Sequence, residues 1–339
     1  MEFLSFNPVT EKLTLEHGEI PKLKNNDVLI RVAYSGICGT DLHILDGSFP
    51  AKKDGTLILG HEFSGTVEDI GDEVTEFKVG QKVVIDPNSG CNKCTSCHGG
   101  CYHFCTKGGI NNTIGIFKNG GWATHAVVPE TQVHHVPDDM EMHHAALAEP
   151  MACIAHGWDI MNPIHVGSQI LVIGAGIIGL LWACILHLHG LRKTVTISEI
   201  NAGRRAAVQK LDLDYSVCNP TELRGNFDVA VDCSGSAPAM ESALARLKHG
   251  GRLCIFGVAN PAATVSINPF QMYLKELTIA GVIIDPFTFP KGLALVQAMA
   301  ARYFNYEKLG IKVYKLSEYK EALEALRTGK VSKAMFKCS

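Results

Sequence analysis

Ile170-Leu171-Val172-Ile173-Gly174-Ala175-Gly176-Ile177-Ile178-Gly179 decides how the second half of this chain folds. Four apolar residues read as a buried strand, and the glycines after them read as a sharp turn into a helix. Gly-x-Gly-x-x-Gly alone is weak evidence, but a strand before it and a helix after it give it a mechanical meaning. Gly174 and Gly176 let the backbone approach a pyrophosphate at the positive helix end. Gly179 permits close helix–strand packing, and Ile177 and Ile178 open the helix. Glu199 lies twenty residues past Gly179, at the end of the next strand candidate. A carboxylate there accepts hydrogen bonds from the adenosine ribose and repels a 2′-phosphate, which favours NAD over NADP. Arg204 and Arg205 stand nearby and offer charge to a phosphate.

Outward from this stretch the pattern alternates. Residues 194–197, 229–231 and 252–256 are strand candidates, with helical stretches at 202–211 and 238–247, so a doubly wound parallel sheet is expected. Residues 1–150 instead hold short strand candidates (28–32, 63–67) punctuated by Gly71, Gly80, Pro87 and Gly90, as in a compact barrel. After Pro286 come two amphipathic helices (291–301, 319–327) and a last strand (334–336), too little for a domain of its own. The tail is expected to return to the first domain. The division is therefore 1–150 with 287–339, and 151–286.

Bulk properties exclude several classes. A net charge of −3 gives a polyanion such as nucleic acid nothing to bind. The apolar run 170–188 is broken by glycines and His187, so it reads as strand and helix and not as a membrane span. Nothing at Met1-Glu2-Phe3-Leu4 resembles a secretory signal, and a cytoplasmic setting is expected. Of twelve cysteines, five cluster between Cys91 and Cys105, which favours metal over disulfides.

Cys91-x2-Cys94-x2-Cys97-x7-Cys105 supplies four soft ligands, a closed zinc site with no place for substrate. Cys101 falls inside the cluster and reads as a bystander. A second set is open. Cys38 precedes Thr40 and His43, Gly60-His61-Glu62 follows, and Glu149 comes later before Pro150. Thiolate, imidazole and carboxylate form an incomplete shell whose remaining position takes water or substrate. The pairs His134-His135 and His143-His144, and His156, lack further ligands at useful spacing and read as structural.

Gly60-His61-Glu62, Gly65, Gly71 and Val74 together resemble the zinc-alcohol-dehydrogenase signature. Over nearly its whole length the chain is similar to zinc-containing medium-chain dehydrogenases, especially the polyol (sorbitol and arabinitol) branch. The resemblance implies an α/β protein with a GroES-like β-rich catalytic domain and a Rossmann cofactor domain. It also implies two Zn2+ per chain, one catalytic and one structural, and NAD. Cys38 and His61 match two catalytic ligands; Glu62 and Glu149 both match acidic positions at the metal, one binding directly and the other directly or through water. Thr40 resembles the hydroxyl that takes the alcohol proton, with His43 at the solvent end of that relay. The implied reaction oxidises a secondary alcohol of a polyol to a ketose, and the implied assembly is a homodimer or homotetramer joined near residues 277–283. Zinc supplies Lewis acidity that lowers the alcohol's pKa.

Other readings compete. Residues 38–44 also resemble L-threonine 3-dehydrogenases, although the aspartate-led motif of that branch is absent at Glu149-Pro150. A short-chain diol dehydrogenase is a further alternative, and a catalytically silent zinc-binding interaction protein is the alternative of another class. Sorbitol dehydrogenases carry a tyrosine and an arginine where this chain has Ile44 and Ile284. Those substitutions point to shorter or less polar substrates. Asp86-Pro87-Asn88 and the run from Asp285 to Pro290 resemble arabinitol-type members.

Overall fold

In the computed structural model, which describes residues 1–52 and 54–339, the first half of the chain is a set of short strands interspersed with helices. They are β1 (Glu2–Asn7), β2 (Lys12–His17), β3 (Asp27–Gly36), α1 (Gly39–Leu45), β4 (Leu57–Ile58), β5 (Phe63–Ile70) and β6 (Lys82–Ile85). A four-residue helix α2 (Thr95–His98), β7 (His125–Pro129), β8 (Val133–His135) and helices α3 (Met142–Ala145) and α4 (Ala148–Met161) follow. β3 is the hub: β5 and β7 pair antiparallel with it, and its residues Val28, Ile30 and Val32 are fully buried. Alternating apolar positions in β3 thus build the core that carries α1 at the strand's end.

The second half is β9 (Ile170–Ile173), α5 (Ile177–Leu188), β10 (Val195–Ser198), α6 (Ala202–Lys210), β11 (Ser216–Cys218), β12 (Phe227–Asp232), α7 (Ala237–Ala245), β13 (Leu247–Ile255), α8 (Pro269–Lys275) and β14 (Thr278–Gly281). All six strands are parallel, in the order β11-β10-β9-β12-β13-β14. The sheet reverses direction of growth between β9 and β12, the switch point where such sheets bind ligands. Every residue of the central β9 is buried, as a strand covered on both faces requires. Gly179 could be nothing else: a Cβ there would lie 2.0 Å from the Gly174 carbonyl oxygen. Gly174 itself takes φ +93°, which favours glycine.

The chain closes with α9 (Phe289–Tyr303), α10 (Tyr306–Leu309), β15 (Ile311–Lys315), α11 (Tyr319–Arg327) and β16 (Lys333–Lys337). β16 pairs antiparallel with β3 in the first sheet. Phe289, Val296 and Met299 of α9 share a core with Ile170, Val172 and Leu180 of the parallel-sheet half. The apolar run 170–188 splits into β9 and the twelve-residue α5; among the described residues no helix is long and apolar enough to cross a membrane.

Candidate metal and dinucleotide sites

Cys38 caps the N-terminus of α1, and its backbone N–H donates to Asp41 Oδ2 at 2.8 Å. The other carboxylate oxygen of Asp41 faces His61 Nδ1 at 3.5 Å, which leaves His61 Nε2 for a metal. Glu62 follows directly on the chain and forms a buried ion pair with Lys333 of β16, which also donates to the Ile37 carbonyl at 3.3 Å. Gly36 makes room for this pair, since a Cβ there would meet Glu62 Oε2 at 2.0 Å and Lys333 Cε at 3.0 Å. The ligand atoms of Cys38, His61 and Glu62 all lie within 4.8 Å of one another. Zinc bonds of about 2.0–2.3 Å fit that span, and a sulfur, nitrogen and oxygen donor set suits this ion.

Charge explains the balance of the site. Burial alone would lower the His61 pKa, but Asp41 and Cys38 outweigh it and hold the imidazole well above its usual value. Burial likewise works against the charge of Lys333, and Glu62 and Cys38 more than compensate. Glu149, in the first turn of α4, lies outside the compact set of ligand atoms. Burial pushes it up to about 8, with Glu62 and Asp285 adding to the shift while His61 and Lys333 oppose it. Cys153, one turn further along α4, donates its thiol to Glu149 Oε1 at 3.5 Å.

On α1, Thr40 and His43 are three residues apart and so share a face. His43 Nδ1 meets Ser48 Oγ at 3.2 Å, and Ser48 Oγ donates to Asp46 Oδ1 at 2.6 Å. Burial would raise the Asp46 carboxyl, but the Ser48 hydrogen bonds win and lower it. Ile44 is buried in the first domain's core and walls a cleft of about 510 Å³ beside Phe6 and Phe49. Ile284 sits past the end of β14 with φ +44°, an unusual backbone for a β-branched residue.

The four sulfurs of Cys91, Cys94, Cys97 and Cys105 also fall within 4.8 Å of one another. Cys94 caps α2, and a hydrogen bond from the Cys91 backbone is the main reason the Cys105 thiol falls to about 6. Cys101 stays outside this set, its Sγ directed to the Gly99 carbonyl at 3.7 Å. The pairs His134-His135 and His143-His144 belong to no such group among the described residues; His134 stacks on Phe289, and His144 Nε2 bonds the Phe304 carbonyl. His156 packs against the His103 ring.

At the glycine turn, Gly176 caps α5 and Ala175 N–H donates to Glu199 Oε2 at 2.7 Å. Glu199 Oε1 accepts from Asn201 N–H at 2.7 Å. The carboxylate therefore braces the turn. The turn, its glycines and this carboxylate fit a dinucleotide. The Arg204 guanidinium lies beside Gly329. Arg205 is the arginine at the strand end, donating to the Glu199 and Ile200 carbonyls at 2.8 Å.

Residues 24–138 match the family described as "Alcohol dehydrogenase GroES-like domain", and residues 178–298 match "Zinc-binding dehydrogenase". D-altritol 5-dehydrogenase of Agrobacterium fabrum is 36% identical over 83% of this chain and 84% of that protein. The chain belongs to the zinc-containing medium-chain alcohol dehydrogenases. L-threonine 3-dehydrogenase of Rhizobium rhizogenes is 32% identical over 95% of this dehydrogenase and 94% of that protein. D-arabinitol dehydrogenase 1 of Uromyces fabae is 32% identical over 91% and 89%. Among solved structures, a protein described as a zinc-binding dehydrogenase from Sinorhizobium meliloti 1021, bound to NADP, superposes with TM-score 0.90 at 28% identity, covering 99% and 98% of the two chains. 2R,3R-butanediol dehydrogenase from Bacillus subtilis does so with TM-score 0.86 at 26% identity, covering 100% and 99%.

Sequence reasoning about this dehydrogenase missed Lys333 and Asp41, because each acts through a partner distant in sequence or hidden in a helix cap. Lys333 lies near the C-terminus among other lysines, and only the pairing of β16 with β3 brings it beneath Glu62. A signal existed for Asp41: an acid three residues after a capping position is the usual reciprocal helix cap.

Proposed function

We propose that this dehydrogenase oxidises a secondary hydroxyl of a polyol to a ketose, with NAD as hydride acceptor and two zinc ions per chain. The observation that carries the reading is the buried triad of Cys38, His61 and Glu62 with its ligand atoms inside 4.8 Å. Zinc held there supplies the Lewis acidity that makes a hydroxyl acidic near neutral pH, and the dinucleotide takes the hydride. Asp41 fixes the His61 ring through Nδ1. Glu149, whose carboxyl is pushed up to about 8 by burial in the absence of metal, is the further acid beside the triad. We assign the proton's path outward to Thr40, His43, Ser48 Oγ and the exposed carboxylate of Asp46.

Relatives acting on D-altritol and D-arabinitol support a polyol, and relatives acting on L-threonine keep a second reading in view. His61 and Lys333, the cations acting on Glu149, are each already paired with an acid, so neither is spare for an amino acid's carboxylate. NADH formation measured across arabinitol, altritol, erythritol, sorbitol, 2,3-butanediol and L-threonine tests this. Turnover is expected on polyols or the vicinal diol; activity on threonine alone would overturn the reading, and none on any compound would favour a silent zinc-binding protein. Metal analysis should give two zinc ions per active chain. A reducing compartment such as the cytoplasm suits thiolates that must stay free to bind metal.

We also infer self-association. β14 ends the parallel sheet, and Phe270, Tyr273 and Leu274 on α8 and Ile283 after β14 are exposed beside it. An open edge next to apolar side chains fits a homodimer or homotetramer.

A further inference from the structure

Asn88 lies after β6 in the first domain and Asp285 after β14 in the second, 197 residues apart, yet Asn88 Nδ2 donates to Asp285 Oδ1 at 2.7 Å. Both residues are buried, Asp285 completely. Asn88 is held from behind: its Oδ1 accepts from Thr113 Oγ1 at 2.7 Å, and its N–H donates to Asp86 Oδ1 at 3.0 Å. That network fixes which way the amide points, so the Nδ2 donor is committed to Asp285. Tyr102, between the third and fourth cysteines of the four-sulfur lobe, adds a second tie. Its hydroxyl donates to the Asp285 carbonyl at 3.5 Å, and its ring meets Phe287 edge-on at 5.0 Å. From the third side, Thr288 Oγ1 donates to the Ala152 carbonyl of α4 at 2.8 Å.

The held segment is a strained corner. Ile284 and Phe287, on either side of Asp285-Pro286, have φ +44° and +58°. Such conformations persist where surrounding contacts over-determine them, and they cluster at functional sites. The corner leaves the C-terminal end of β14, in the half of the doubly wound sheet opposite the Gly174 turn. Dinucleotides lie across the strand ends with one mononucleotide in each half. With the pyrophosphate at Gly174 and the adenosine ribose at Glu199, the nicotinamide half falls to β12, β13 and β14.

We propose that Asn88 and Tyr102 are positioning residues that clamp the Ile284–Phe287 corner through Asp285, and so hold the nicotinamide end of the dinucleotide site against the zinc-ligand triad. The lobe of four cysteines thereby carries one jaw of the clamp in addition to its own metal site. The inference rests on membership of the dehydrogenase family and is independent of which alcohol is oxidised.

Binding of NADH and of ADP-ribose, which lacks nicotinamide, tests the clamp without any substrate. Asn88→Asp sets two carboxyl groups face to face. It should weaken NADH by about tenfold while leaving ADP-ribose within about twofold. The exchanged pair Asn88→Asp with Asp285→Asn restores a donor opposite an acceptor and should recover NADH affinity. Tyr102→Phe, which adds no charge, should weaken NADH selectively but less, and it carries the same test should Asn88→Asp fail to fold. If NADP proves the preferred coenzyme, NADPH and 2′-phospho-ADP-ribose replace the two probes. Equal losses for both probes, unchanged NADH binding in all variants, or no recovery in the exchanged pair would overturn the proposal.

Discussion

Lys333 places an ammonium where water does not reach, and Glu62 lying against it, with Cys38 nearby, outweighs that burial. Removing one partner of a buried ion pair leaves the other charge uncompensated, which costs about 3–5 kcal/mol. Lys333→Met should therefore lower stability by about that amount in urea unfolding, and Glu62→Gln added to it should recover much of the loss. A single variant within about 0.5 kcal/mol of the parent would show that the pair is not buried as described. Glu149 makes a prediction of opposite character. Its carboxyl titrates near 4.5 when unfolded and near 8 when folded, so between those values the folded state holds a proton that the unfolded state has lost. Stability due to this group is thus greatest below about pH 4.5 and is lost as pH rises through about 8. Asp285, pushed up to about 7 by burial, contributes in the same direction. In metal-free protein the urea midpoint should fall between about pH 5.5 and 8.5, and Glu149→Gln should flatten that fall. An unchanged slope in the variant would remove Glu149 from the account.

At the scale of elements, legibility follows the range of the forces involved. The turn from β9 into α5 is readable because its glycines answer to local backbone sterics, and the four cysteines because ligand spacing is local too. The helix expected at 319–327 is α11 with those bounds, since a short exposed helix shows its apolar stripe plainly. β1 and β2 escape notice, because β2 is half-exposed with mixed polarity and the buried centre of β1 mixes Ser5 with Leu4 and Phe6. The corner after β14 and the pairing of β16 with β3 depend on contacts across hundreds of residues, which no local pattern encodes. Arg204 and Arg205 show the limit most finely: adjacent residues of one type on one helix turn, of which only Arg205 bonds the end of β10. Glu199 is legible in the sequence, but its bracing of Ala175 N–H is not. Glu199→Ala should therefore do two things at once. It should narrow the preference for NAD over NADP, and it should weaken both coenzymes by loosening the glycine turn. Titration of each coenzyme by protein fluorescence separates these effects; a variant that gains NADP affinity outright would show that the brace contributes nothing, and a parent that already prefers NADP would assign the strand end to Arg205.

At the scale of the whole molecule, α4 and α9 share one buried cluster with Ile170 and Val172 of the parallel sheet and with Val84 and Met335 of the first sheet. The free side of β14 is one of the open sheet edges of this body. Parallel edge strands carry unpaired backbone donors and acceptors, and folded proteins cover them, charge them or pair them. Among the described residues β14 pairs with β13 alone, and Phe270, Tyr273, Leu274 and Ile283 stand exposed near its free edge. Phe270 and Tyr273 are 63% and 79% exposed, an unusual setting for two aromatic rings on one short helix. A two-fold axis would bring the same patch from a second copy onto it, the self-complementary arrangement of most dimers. Light scattering at micromolar concentration should therefore give at least twice the 36.7 kDa chain mass. Tyr273→Glu paired with Phe270→Glu should shift the particle towards the monomer, because burying two carboxylates at the centre of an interface opposes association. Since the strand end next to this edge also carries the corner held by Asn88, the monomer should bind NADH more weakly than the parent. A parent that runs as a monomer, or a charged variant whose mass is unchanged, would place the interface elsewhere.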